Sequence, residues 1–150
     1  MITGLGSRGV FFLAFLVLGC RREAEERPNG PPPKPEPVDF EVRVGEECFI
    51  LRLRDSVRIA EARRILAQQE GRTIPLGPLY EGDGGFNRCG EHRWSWHFHP
   101  DSVIFAEIAM EVCDARPSYV EANLAEWLRS VRVYCPWGAQ LVRELPPSAR

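Results

Sequence analysis

A chain of 150 residues has room for one domain with a core of ordinary size, plus appendages. Its 19 basic and 21 acidic residues are interspersed, so the clustered basic footprint of a nucleic-acid binder is absent and no nucleic-acid partner is expected. Lys34 is the sole lysine, and the scattered arginines fit the codon bias of a GC-rich genome better than an anion site.

Arg8 precedes the apolar run "VFFLAFLVL", Val10 to Leu18, which stops at Gly19-Cys20 before the charged "RREAEE". A membrane span needs roughly 20 apolar residues, so this shorter run reads as the apolar region of an export signal. "LVLGC" resembles the lipobox of bacterial lipoprotein precursors: Gly19 and Cys20 match it, and Leu18 stands where a smaller residue is commoner. The resemblance implies that residues 1–19 are removed as a signal peptide and that Cys20 becomes the acylated first residue of the mature chain. The membrane is then a partner through lipid at Cys20, with each buried methylene contributing about 0.8 kcal/mol. Arg21 replaces the Asp that usually retains such proteins in the inner membrane, so the expected location is the outer membrane, facing the periplasm or the exterior. Residues 20–38 carry "RREAEERPNGPPPKPEPV" after the cysteine, too rich in proline and charge to bury a core. They read as a tether, and at about 3.1 Å per residue a polyproline II chain of this length reaches roughly 50 Å.

Residues 39–145 form the globular domain and 146–150 a tail. "FEVRV" alternates Phe40, Val42 and Val44 with charge, and "CFILRLR" sets Phe49, Leu51 and Leu53 on one face, so both predict strands. Asp55 is placed to cap a helix with Ile59, Ala62 and Leu66 at helical spacing and Gly71 at its end. "TIPLGPLY" predicts a short extended segment, confined to a sheet edge by its two prolines. "EGDGGFN" lacks the repeated acids of a calcium loop and the ordered glycines of a phosphate loop, and reads as a turn.

In "RWSWHFHPDS", Trp94, Trp96 and Phe98 share one parity and point to the core, while Arg93, Ser95, His97 and His99 share the other. "VIFAEIAMEVCD" then sets Ile104, Ala106, Ile108, Met110 and Val112 on one face. A hairpin centred on Asp101 would bury both apolar faces together, pair Ser95 with Glu107, set His97 and Arg93 diagonally across from Glu107, and put Glu111 beside Arg93. Ser118 and Glu121 form a capping-box pattern, and Val120, Leu124, Trp127, Leu128 and Val131 continue as a second helical stripe. A final extended segment, a "CPW" corner and a last strand complete a small α+β domain, mostly antiparallel sheet with two helices.

The polar face of that 92–112 hairpin is the candidate constellation, with Asn87, Arg93, His97, Glu107 and Glu111 as ligand-face residues. A metal-dependent or His/Glu hydrolase would use His97, Glu107 and Glu111, and His97 with His99 would offer two metal ligands. The plainer reading is a solvated sheet face with cross-strand ion pairs, so no cofactor, no resident metal and no catalytic residue is assigned. A partner is expected in the form of an envelope protein or a small ligand. Small size and disulfides also admit an inhibitor of exported proteases.

After Cys20 an even number of cysteines remains, Cys48, Cys89, Cys113 and Cys135, which in an oxidising compartment predicts two disulfides in any of three pairings. Without close-spaced ligand pairs a zinc site is disfavoured. The series Asn87, "WSWHFHP", "IFAEIAMEVCD", "PSYVEANL" and "YCPW" resembles a small secreted domain of bacteria and some amoebae, the calmodulin-binding-protein-like family. The resemblance covers most of residues 40 to 145. It implies a bond between Cys113 and Cys135, whose counterparts recur in that family, and leaves Cys48 with Cys89 as an added staple. It implies no enzyme activity, and calmodulin is not expected as a partner in a bacterial envelope. The reading that results is a lipid-anchored envelope protein whose disulfide-stapled domain is a binding or structural module.

Overall fold

The structure is a computed structural model describing residues 35–68 and 73–147. The expected signal peptide, Cys20, Gly71 and all but the end of the tether lie outside the described residues. Strands β1 (Val38–Val44) and β2 (Glu47–Leu53) form the expected hairpin, with Val42 opposite Phe49. Gly45 sits at φ 62° in the connecting turn, a conformation costly to a residue with a Cβ. The alternation in both strands buries Phe40, Val42, Val44, Phe49, Leu51 and Leu53. Strand β9 (Ala139–Glu144) lies along the other side of β1, giving the order β2-β1-β9. Helix α1 (Ser56–Gln68) begins where Asp55 Oδ1 accepts from the backbone N–H of Val57 and Arg58, at 2.8 and 3.1 Å, and packs Ile59 and Ala62 inward.

The second sheet is organised by β3 (Ile74–Glu81), which the prolines had placed at an edge. Instead it pairs in turn with β7 (Ile104–Ala106) at residues 74–76, β8 (Val133–Tyr134) at 77–78 and β6 (Trp96–Phe98) at 79–81. Pro75 and Pro78 lie three apart, so each missing N–H falls on a different side of the strand, and three short partners share it where no long one fits. A small hairpin of β4 (Arg88–Cys89) and β5 (His92–Arg93) precedes β6.

Between the sheets lie the rings of Phe49, Trp96, Phe98 and Tyr134, with centroids 5.4 to 6.3 Å apart. Trp94, Trp96 and Phe98 are buried as their parity predicted. Disulfides join Cys48 to Cys89 and Cys113 to Cys135, the pairing the family resemblance implied.

The second helical stretch is broken into α2 (Pro117–Ala122), α3 (Leu124–Glu126) and a π-helix, Trp127–Val131. Its Val120 and Trp127 are buried, as the stripe predicted. The expected capping box is not formed. Ser118 instead donates from N and Oγ to the Glu47 carboxylate, both at 2.7 Å, and Glu121 accepts from Ser95 N at 2.9 Å, so both side chains tie the helix to neighbouring chain rather than to its own first turn. The architecture is the small, disulfide-stapled α+β domain expected from the sequence.

Candidate functional site

Strand β6 carries His97 opposite Tyr80, and its exit carries His99; the Tyr80 ring lies 6.1 Å from the first imidazole and 4.8 Å from the second. His97 Nδ1 stands 2.7 Å from the Gly82 carbonyl, which can only accept, so Nδ1 carries the proton of that hydrogen bond. His99 Nδ1 meets Ser102 Oγ at 2.9 Å. A Cβ on Gly84 would stand 2.9 Å from His97 Cγ and 2.5 Å from Phe86 Cε1, so this loop closes on the imidazole only because the residue is glycine.

Arg93 and Arg88 both donate to Asp83 Oδ2, at 2.7 and 3.3 Å, and Gly85 N donates to Oδ1. The Gly85 hydrogen bond, followed by the two guanidiniums, holds the Asp83 carboxyl below the usual carboxylate range against partial desolvation. Asn87 is fully buried rather than on an outer face. It accepts from Ile50 N at 2.8 Å and donates to the Trp96 carbonyl at 2.7 Å, which clasps β2 to β6.

The hairpin that would have joined these groups to Glu107 and Glu111 does not form. Residues 99–102 do turn, with Ser102 N donating to the His99 carbonyl, but the chain then runs on along β3. Gly77 makes that path possible: a Cβ there would meet Ser102 O at 3.2 Å and Phe98 Cδ1 at 3.3 Å. His97 faces Tyr80 while Glu107 follows Ala106, which faces Ile74. Six strand positions separate those registers, roughly 20 Å of extended chain, so Ser95, His97 and Arg93 do not meet Glu107 across a ladder. The set of close metal-ligand types found among the described residues is Glu41, Cys48 and Cys89, and its two sulfurs are bonded to each other.

The parity of the following segment is opposite to the expected one. Val103 and Cys113 are buried and Phe105 and Ala109 pack against the core. Ile104, Ile108, Met110 and Val112 therefore face outward, at 43, 87, 71 and 64% exposure. The Cys113–Cys135 bond draws Cys113 inward at the end of a one-turn 3-10 helix, Glu111–Cys113, which leaves Glu111 and Val112 exposed.

Beyond this apolar strip opens a groove of about 740 Å³. Val112, Ala115, Tyr119, Trp127 and Val131 supply its apolar lining, with Asp114, Arg116 and Glu126 among its charged groups. The π-helix forms one wall and ends at Arg132, whose φ of 64° lets its N–H reach the Trp127 carbonyl at 2.6 Å. Such wide turns occur frequently at functional sites. Trp127 packs edge-on against Tyr134 at 5.5 Å, and the Tyr134 hydroxyl donates to the Ala115 carbonyl at 3.0 Å. Burial, and then the negative charges of Asp114 and Glu47, push the Tyr134 phenol well above its ordinary value.

Among the described residues neither a histidine nor a cysteine lines the groove, and the Ser118 hydroxyl donates to Glu47. Sequence reasoning missed Tyr119, Ile108, Met110 and Val112 as surface residues. Cys113 was the available signal, since a disulfide cysteine marks a point where the chain is drawn into the core.

Residues 36–148 match the family model described as the BP-74 N-terminal domain. No curated protein and no solved structure matches the chain.

Proposed function

Since the chain belongs to the BP-74 N-terminal domain family, we propose that this domain is a binding module, held at the bacterial cell envelope by lipid on Cys20 and engaging its partner through the groove and the adjoining apolar strip. The observation that carries the binding reading is the outward display of Ile108, Met110, Val112 and Tyr119 in a domain that otherwise buries a dense aromatic core. An exposed apolar patch beside a groove is characteristic of interaction surfaces. The anchoring reading is supported by "VFFLAFLVLGC" and by the proline-rich tether, which gives the module reach from the bilayer. Two disulfides fit an oxidising compartment outside the cytoplasm. The calmodulin-linked label of the resembling family is not extended to this chain, because the Arg58, Arg63 and Arg64 side of α1 is interrupted by Glu61.

Two measurements test the reading separately. The intact mass of protein extracted from its native membranes is expected to lack residues 1–19 and to include acyl chains, and Cys20→Ala is expected to abolish the acylation. A soluble cytoplasmic chain retaining Met1 and free thiols would overturn the anchor. A photoreactive side chain at position 110 is expected to yield discrete envelope adducts that one at Gln140, also exposed, does not yield; equal or absent labelling would overturn the binding module.

A further inference from the structure

We propose that Met110 is an oxidation site: a peroxide converts its thioether to the sulfoxide, and the polar side chain that results releases the partner from the apolar strip. This inference rests on the binding-module reading and deepens it by naming how the surface is regulated.

The position of the sulfur carries the proposal. Among the described residues Met110 holds the one sulfur outside a disulfide, since Cys48, Cys89, Cys113 and Cys135 are bonded in pairs. Its side chain is exposed, so an oxidant reaches it without any opening of the fold. It also stands between the exposed Ile108 and Val112, within the strip that a partner would cover.

The reaction needs no catalytic group from the protein. The thioether sulfur attacks one oxygen of hydrogen peroxide and the O–O bond breaks. The proton of the transferred oxygen passes to the leaving hydroxide, which departs as water. Sulfur is oxidised by two electrons and the peroxide is reduced by two. A flexible apolar side chain thereby becomes a polar one. A partner closing over the strip would strip water from the sulfoxide oxygen without supplying a donor, and an unpaired buried acceptor opposes association. The fold itself is left alone, because the Met110 carbonyl accepts from Cys113 N at 3.3 Å and the neighbouring disulfide has no thiol to oxidise. Enzymatic reduction of methionine sulfoxide makes the change reversible.

For the test, the full chain carrying a photoreactive side chain at position 108 is purified from its native cells and treated with hydrogen peroxide. The peroxide is removed with catalase, and the protein is photolysed with envelope extract of untreated cells. The intact mass is expected to rise by one oxygen mapped to Met110, and adduct yield to fall about tenfold. A methionine sulfoxide reductase should restore it. Met110→Leu is expected to keep its adducts through peroxide, whereas Met110→Gln, whose amide approximates the sulfoxide in size and polarity, should lose them without peroxide. The side chain is exposed, so both variants and the oxidised chain should melt near the parent. Met110 spared by peroxide, equal loss in Met110→Leu, or parental adducts in Met110→Gln would overturn the proposal. Adducts undiminished by full sulfoxide formation would sink the switch and leave the module standing; missing adducts before oxidation would sink the module, and the switch with it.

Discussion

Asn87 shows how much one side chain holds together in this domain. Its amide is fully buried and reaches backbone groups on two strands that do not pair with each other, Ile50 on β2 and Trp96 on β6. Asn87→Ala would leave both groups buried without a partner, each costing about 1–3 kcal/mol. We expect unfolding in urea to report a loss of about 2–4 kcal/mol, whereas the same change at Asn29, in the expected tether, should have no effect. Asp83 acts through charge instead. Its folded carboxyl is depressed, so its contribution is complete above the ordinary carboxylate range and fades as pH falls through the lowered value. Followed by NMR, the Asp83 carboxyl should titrate below a normal aspartate, and Asp83→Asn should remove the acid sensitivity of amide exchange at Gly85 to Asn87. An Asp83 that titrates normally would contradict the Gly85 and Arg93 contacts.

At the scale of elements, the legible and illegible parts of the sequence differ for a physical reason. In β1 and β2 charge alternates with large apolar groups, so a single parity can be buried and the hairpin followed directly. The α1 cap was equally plain in Asp55. Between Val103 and Cys113 both parities are apolar, Val103, Phe105 and Ala109 against Ile104, Ile108 and Met110, so periodicity alone could not choose a face. The choice falls to the Cys113–Cys135 bond and to Gly77, which admits the turn before β7. β3 misled because prolines argue for an edge, while three short partners satisfy them better than one long partner would. Replacing Cys113 and Cys135 by Ala should therefore cost about 3 kcal/mol by loop closure over a separation of 22 residues. It should also accelerate amide exchange from Ile104 to Cys113, a loss that replacing Cys48 and Cys89 should not reproduce.

At the scale of the whole molecule, β1 enters the domain directly from the residues that precede Val38 and at once becomes the middle strand of its sheet. Leu145 N donates to the Asp39 carbonyl at 2.8 Å, so the final strand ends beside the point of entry. A tug arriving from the upstream chain would run lengthwise along β1, where β2 on one flank and β9 on the other resist it together in shear. The rungs would have to fail in concert rather than peel open singly.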